Sequence, residues 1–518
     1  MRNLQAIILA AGEGTRMKSE LPKVLHVICG RPMMAYSLDL AASSGVKQPV
    51  VVLGHGAEAV KPYLPKGVKT IIQTKQLGTG DAVLAAKKAL GGSGDVLILY
   101  ADTPLLRRTT VQKLVETHFK TGATCTLLTA HLADPSGYGR ILRNENSQIA
   151  GIVEEAEANA AQRAIREINV GPLVCKTQAL AEALAVVKPS AAKKELYLTN
   201  IVSHVARREG TKIQATRVEE VSEALGINSR HELARAIGVI RRRIIETHLH
   251  NGVTIEDPET KFIDHGVSIG VVTVIHPHTV IETGVSIGRR CSIGPFARLR
   301  SGVSIAEQVR VGNFVELVRT KLGPRVRVNH VTYLGDATVE EDGNIGAGTI
   351  TANYDGKTKH PTHIGKGAFI GSDTVLIAPV KIGAGAVTGA GSVVTKAHDV
   401  PAKGVVVGVP ARPFKAGAGG PARPLDGRAR VPTEKAGRVR TKMEKPTASR
   451  VDGAKPTLKK TPKRKIVSVK ARRRPVVRVK KKRVTAKRTR PIRRAVRRTV
   501  RRPARRTASK SRKRAARR

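Results

Sequence analysis

Three short stretches of the chain carry residue types that could handle phosphates or protons. In Leu9-Ala10-Ala11-Gly12-Glu13-Gly14-Thr15-Arg16-Met17, followed by Leu21-Pro22-Lys23, small residues and glycines come straight after an apolar run. Backbone amides in such a turn can approach a triphosphate and a base closely, and Arg16 and Lys23 add fixed positive charge. The glycine spacing fits neither a Walker loop nor a dinucleotide fingerprint, so an ordinary strand-to-helix turn is the bland alternative. Further on, Tyr100-Ala101-Asp102-Thr103-Pro104-Leu105 puts a carboxylate at the end of another apolar run, where it either caps a helix or faces a ligand. His330 stands in a segment that interrupts a regular repeat. A neutral imidazole suits proton transfer near neutral pH, whereas an isolated histidine is otherwise a structural or surface residue.

The elements that must position these residues fall into two patterns. From residue 1 to about 230, apolar runs at 6–10, 49–53, 68–73, 96–100 and 124–130 read as buried strands, with helices between them at 80–90 and 110–121. That alternation predicts an α/β domain of Rossmann-like type, an open and mostly parallel sheet with helices on both faces and ligands beyond the carboxyl ends of its strands. A connecting helix follows, with Leu233, Ile237, Ile240, Ile244 and Leu249 at helical spacing across 231–251. Then Ile263, Ile269, Ile275, Ile281, Ile287, Ile293, Leu299, Ile305, Val311 and Leu317 recur every six residues. Neither a helix nor a flat strand has that period. It builds a triangular β-coil, three sides to a turn, whose stacked coils bury one aliphatic column. The phase breaks between Leu317 and Ile364 and resumes at Ile370, Leu376 and Ile382, so loops and function are expected inside the break. The expected domains are therefore 1–230, the helix 231–251, a left-handed parallel β-helix over 252–414, and a tail over 415–518.

Charge separates the tail from the rest. The chain of 518 residues carries a net +52, of which residues 421–518, with 41 Lys and Arg against 4 acids, hold +37. Such a segment has too little apolar surface to offset its ordering entropy and self-repulsion, so it is expected to be disordered. Runs such as Lys480-Lys481-Lys482-Arg483 suit a polyanion, DNA or RNA among them, through counterion release. An anionic membrane surface or solvation alone are the alternatives. No aromatic residue follows Phe414, so base stacking is not available there. Cys29, Cys125, Cys175 and Cys291 form no paired metal-ligand or redox spacing, and no apolar window is long enough for a membrane helix. A cytoplasmic, reducing setting is expected, since Leu4 to Ala11 is too short and too poorly flanked for a signal peptide.

The glycine turn with Arg16 and Lys23 at those offsets resembles the signature of sugar-phosphate nucleotidyltransferases. The rest of the domain is similar to one family, the bacterial bifunctional N-acetylglucosamine-1-phosphate uridyltransferases and glucosamine-1-phosphate acetyltransferases. The resemblance implies that Leu9, Ala10, Ala11, Gly12 and Lys23 hold the nucleotide, that Gln73 and the Gln76-to-Gly80 segment, including Gly78 and Thr79, contact uracil and ribose, and that Tyr100 lies beside them. It implies that Gly139, Glu154 and Asn169 bind the sugar, that Asp102 and Asn228 hold Mg²⁺, and that Arg16 and Lys23 act in catalysis on UTP. Two mild departures are Ala101 for the family's Gly and Asn200 for its usual Asp.

The second half resembles the acetyltransferase part of that family through Gly294-Pro295-Phe296-Ala297-Arg298-Leu299-Arg300, Gly312-Asn313-Phe314-Val315-Glu316, Asn329-His330-Val331-Thr332-Tyr333 and Asn353-Tyr354-Asp355-Gly356. By this likeness His330 is the general base, Arg300, Tyr333 and Asn344 bind the amino-sugar phosphate, and Ala347, Asn353, Tyr354, Ser372 and Ala390 line the acetyl-CoA site. A homotrimer is implied as well, with sites between neighbours. Val318, with Arg319 beside it, stands where the family carries a lysine that contacts the sugar phosphate, and the β-helix is about two coils shorter before Arg300. Two other readings therefore stay open. One is a uridyltransferase on a β-helix scaffold without acetyl transfer. The other is an enzyme-like body serving a nucleic-acid-binding tail, which is similar in composition to linker-histone tails.

Overall fold

The computed structural model describes residues 3–190 and 194–414. The basic segment, expected to be disordered, lies outside them.

In the first half, valine- and isoleucine-rich runs become strands because helices cover them on both faces. The strands are β1 (Leu4–Ala10), β2 (Val50–Leu53), β3 (Lys69–Ile72), β4 (Asp95–Tyr100), β5 (Cys125–His131), β6 (Arg140–Arg143), β7 (Ile149–Val153), β8 (Glu167–Lys176) and β9 (Ile213–Arg217). They lie in the order β9-β5-β8-β4-β1-β2-β3, with the β6–β7 hairpin attached to β8. All neighbours on the main path run parallel except β8, which is antiparallel to both β4 and β5. Helices α1 (Met33–Ser43) and α3 (Arg108–Thr121) cover one face through Leu38, Leu40, Val111 and Leu114 against Ile8, Val51, Leu97 and Leu99. On the other face α2 (Thr79–Ala86), α4 (Thr177–Val186) and α5 (Leu198–Ala206) pack against Ile7, Val52, Val96 and Ile98. The run at 68–73 does not form the buried strand expected of it. β3 is the sheet edge, with Lys69 and Ile72 exposed, and apolar content alone cannot tell an edge strand from a central one.

Helix α6 (Arg230–His250) starts on a capping box in which Ser229 and Glu232 satisfy each other's backbone amides. Its Leu233, Ala236 and Ile240 pack on Met17, Ile28, Met33 and Leu105, which fixes the helix against the glycine turn of the first domain.

After α6 the chain winds into coils of three short strands. Ile263 pairs in parallel with Ile281, and Ile281 with Leu299, eighteen residues on each time. The inward residues Ile275, Ile281, Ile293, Leu299 and Leu317 are fully buried in one column that no single coil could bury by itself. The Ile-Gly pairs have a packing reason: a Cβ on Gly288 would come within 2.7 Å of the Ala306 backbone in the next coil. One corner repeats a left-handed residue at Val272, Arg290, Gln308, Arg325 and Asp342, a conformation the ladder must impose on side chains that do not favour it.

The break in the six-residue phase is a shift rather than an interruption. Val311 pairs with Val328 and Leu317 with Leu334, each only seventeen residues on, and Ile345 pairs with Ile370, twenty-five on. Residues are dropped at corners, and then seven extra residues leave as a loop near 353–361, while Leu322, Val328, Leu334, Val339 and Ile345 continue the column. His330 accordingly stands in the nine-residue strand Arg327–Gly335, not in the loop expected there. Side-chain period survives a shortened corner because the inward direction is set by the pleat and not by residue number.

Candidate functional sites

Beyond the carboxyl ends of β1 and β4 lies a cavity of about 390 Å³. Leu9, Ala10, Ala11, Gly12, Arg16, Lys23, Gln73, Gly78, Thr79, Tyr100 and Asp102 line it, together with Gln76, Glu195 and Tyr197. Gly14 shapes the turn: its φ is 68°, and a Cβ there would lie 2.7 Å from Cβ of Lys23, so only glycine lets that lysine pass beneath. A Cβ on Gly12 would meet nothing, which leaves the backbone there open to a ligand.

The buried Lys23 points its ammonium at two oxygens, Oδ2 of Asp102 at 2.6 Å and Oδ1 of Asn228 at 3.2 Å. Three elements bring them together. Asp102 follows β4, the Ile227 amide donates to the Asp102 carbonyl, and the Asn228 amide donates to Glu232 at the start of α6. A positive charge thus already sits between two hard oxygen donors.

Gly139, Glu154 and Asn169 do not line that cavity but form a group next to it. The Asn169 amide donates to the Gly139 carbonyl, a Cβ on Gly139 would lie 3.5 Å from a Glu154 oxygen, and Thr199 donates to Glu154 at 2.7 Å. The register shift between Asn169 and Leu173 turns Gly171 against the Tyr100 ring, joining the two groups. Burial, and then the carboxylates of Glu154 and Asp102, push the Tyr100 phenol well above its usual range, so it remains a neutral donor. Tyr197 is pushed up to about 12, again by burial first and then by Glu195. Sequence reasoning gave no role to Glu195 or Tyr197, although Tyr197 stands just before Asn200, one of the two departures from the family pattern.

In the β-helix the residues of interest stand along one edge. Asn313 and His330 are register partners on adjacent coils, and Ala347, Ser372 and Ala390 take the same corner place in the coils beyond. Backbone bonds along the edge tie them, from Asp373 to Ala347 and from Gly391 to Ser372. His330 is exposed and its Nδ1 lies 2.9 Å from Oδ1 of Asn313. An amide oxygen only accepts, so Nδ1 carries the hydrogen and Nε2 is left with a free lone pair. Asn313 is a third residue whose part was missed, because the seventeen-residue step to His330 hides the pairing.

The two faces meeting at this edge carry the other residues. Tyr333 pairs with Glu316 on one face, where Arg300 reaches Glu316 at 3.4 Å and Glu282 at 3.9 Å. Asn344 lies on the other face, in register with Arg327. Asn353 is buried and donates to Asp336, while Tyr354 is exposed and donates to the Gly356 carbonyl. Val318 is buried, and Arg319 is held by both oxygens of Asp336, at 2.6 and 2.7 Å. That bond, above all, keeps the Asp336 carboxyl below the usual carboxylate range. Arg319 is thus engaged by Asp336 rather than free of a carboxylate partner.

A nucleotide-sized cleft on a doubly wound sheet, followed by hexapeptide coils, defines an NTP-transferase domain joined to a bacterial hexapeptide transferase. Comparison with known families agrees: residues 6–187 match the MobA-like NTP transferase domain, and residues 361–396 match the bacterial transferase hexapeptide of six repeats. The chain is 44% identical over 441 residues to the bifunctional protein GlmU of Heliobacterium modesticaldum, covering 79% of this chain and 96% of that one. It is 42% identical over 436 residues to the GlmU of Shouchella clausii and 45% over 415 residues to that of Pelotomaculum thermopropionicum, covering 95% and 90% of those chains and 78% and 73% of this one. The chain belongs to the GlmU family of bifunctional enzymes.

Proposed function

We propose that the chain makes UDP-N-acetylglucosamine in two steps, acetylating glucosamine-1-phosphate from acetyl-CoA at the β-helix edge and transferring uridylyl from UTP at the sheet. The observation that carries the reading is the pairing of two separate sites in one chain, the Lys23–Asp102–Asn228 cluster in a cleft and the His330–Asn313 pair on an edge of small residues.

In the first domain the protein's work is alignment and charge neutralisation. A phosphate oxygen of the sugar phosphate attacks the α-phosphorus of UTP, and the bond to pyrophosphate breaks. The glycine turn takes the triphosphate, Gln73, Gly78 and Thr79 face the base and ribose, Gly139, Glu154 and Asn169 face the sugar, and Arg16 and Lys23 meet the charge growing on the leaving group. Asp102 and Asn228 supply hard oxygens of the kind Mg²⁺ takes, and the Lys23 ammonium between them indicates that the spot favours a cation. When bound, the ion adds charge neutralisation at the reacting phosphates.

On the edge, Nε2 of His330 takes the proton as the sugar nitrogen attacks the thioester carbonyl. The carbon–sulfur bond then breaks, and the thiolate leaves as a thiol with that proton. Ala347, Ser372 and Ala390 leave room along the edge for acetyl-CoA, with Asn353 and Tyr354 beside it, and Arg300, Tyr333 and Asn344 face the amino sugar. An exposed edge encloses nothing alone, and the exposed stack of Phe296 and Phe314, ring centres 5.3 Å apart on the same edge, supports closure by a second copy in a trimer. Magnesium, the trimer and a cytoplasmic setting belong to this proposal. Among the described residues no helix is long and apolar enough to cross a membrane.

The test is direct. Purified chain should release pyrophosphate from UTP with N-acetylglucosamine-1-phosphate and Mg²⁺, and free thiol from acetyl-CoA with glucosamine-1-phosphate. Pyrophosphate without thiol would reduce the β-helix to a scaffold, a reading that Val318 favours.

A further inference from the structure

Two of the β-helix cations that the chemistry above leaves unused stand side by side. Arg310 and Arg327 are register partners on adjacent coils, and Arg327 is in turn partnered with Asn344. Strands in a ladder lie about 4.8 Å apart, so the two guanidinium groups rise from neighbouring rungs of one face, and like charges so placed repel. Their neighbour Arg325 has its charge balanced by Asp342 at 2.7 Å and Glu341 at 3.0 Å. Neither Arg310 nor Arg327 has an ion pair or hydrogen bond from its side chain to any described residue, although Arg327 lies near enough to Asp342 to help hold that carboxyl below its usual range after Arg325 has done most of it. Both line a concavity of about 350 Å³ with Gln308, Arg325, Asp342 and Asn344. Arg300 is paired with Glu282 and Glu316 and Arg319 with Asp336, and Val318 offers no charge.

We propose that Arg310 and Arg327 form an anion subsite that takes the terminal phosphate of a phosphomonoester, supplying phosphate recognition that the Val318 position lacks. A phosphomonoester offers about two negative charges and three acceptor oxygens, enough to satisfy two planar guanidinium forks at once. Asn344, on the next rung, would contact the group that the phosphate is attached to. The inference rests on the acetyl-transfer reading for its setting, and two phosphomonoesters meet there, the amino-sugar 1-phosphate and the 3′-phosphate of acetyl-CoA.

The experiment compares intact chain with Arg310→Gln/Arg327→Gln for both transfer activities. The Michaelis constant for glucosamine-1-phosphate should rise about tenfold to a hundredfold with kcat little changed, as expected for lost charged hydrogen bonds. Pyrophosphate release should be unaltered. A rise confined to the acetyl-CoA constant would also support the subsite and assign it to the coenzyme. Unchanged constants for both would overturn it, as would loss of self-association on sedimentation, which would make the arginines a contact between copies. Should the intact chain acetylate nothing, the acetyl-transfer reading fails by itself. Calorimetric titration of glucosamine-1-phosphate, with the first site saturated by UDP-N-acetylglucosamine, then decides: a tenfold loss of affinity in the double variant sustains the subsite, and equal affinity or no binding by the intact chain ends it.

Discussion

The cleft of the sheet and the edge of the β-helix solve the same problem, presenting a charged substrate to fixed polar groups, in opposite ways. The sheet gathers residues from β1, β4, the turn after β1, and the start of α6, so that Lys23, Asp102 and Asn228 converge although they lie up to 205 positions apart. Parallel strands all end on one side, and the turns beyond them close a concave site within a single chain. The β-helix has no such end. Each coil contributes one residue to a given corner, so Asn313, His330, Ala347, Ser372 and Ala390 form a line on a convex surface. A line can be long enough for an extended coenzyme but cannot exclude water from itself. On the proposed reading, the first site is complete when the chain folds, whereas the second needs another surface.

The sharpest way to break this comparison is at Asp102. Asp102→Ala removes one of the two oxygens around Lys23 and should lower pyrophosphate release by about 10³-fold or more, in line with losing a preorganised charge partner. Thiol release should stay within twofold, because no described contact links Asp102 to the coils that carry His330. Equal loss of both activities would mean that the two sites are not separate.

Next in size is His330→Ala, for which thiol release should fall by about 10²- to 10⁴-fold, the usual contribution of a general base, with pyrophosphate release unchanged. Measured at falling protein concentration, the wild-type thiol release per chain should also drop once copies separate, while pyrophosphate release per chain holds constant. Thiol release that is indifferent to dilution below the dissociation range seen by sedimentation would place the whole second site on one chain.

This contrast also sets how much was legible in the sequence. The cleft announced itself because Gly12, Gly14, Arg16 and Lys23 lie within a dozen residues, close enough for spacing to carry their joint meaning. The column announced itself through its six-residue period. What stayed hidden depends on contacts between distant segments. Glu195 and Tyr197 enter the cavity because α5 packs on α2, where the Leu198 amide meets the Thr79 hydroxyl. Asn313 reaches His330 only once a coil is counted as seventeen residues rather than eighteen. For the same reason the stretch around His330 looked like a loop: a one-residue loss shifts the phase of the sequence without disturbing the inward direction of Val328 and Leu334. β3 looked like its neighbours because strand order, not composition, puts it at the edge.

The smallest expected effect concerns the pair of Arg319 with Asp336. Arg319 is about two-fifths exposed, so its bond to Asp336 should contribute no more than about 1 kcal/mol to stability despite its two-pronged geometry. The pH dependence has a definite sign. Asp336 titrates below the ordinary carboxylate range in the folded chain, chiefly through Arg319, so its stabilisation is complete above the unfolded value near ~3.9 and fades as pH falls through the depressed folded value. The difference in denaturant midpoint between wild type and Arg319→Gln should therefore be constant from neutral pH down to about pH 5 and shrink below about pH 4. Thiol release in the variant should change by a few fold at most, since Asn353 still donates to Asp336. A difference that widened on acidification would show that Arg319 is held by something other than that carboxylate.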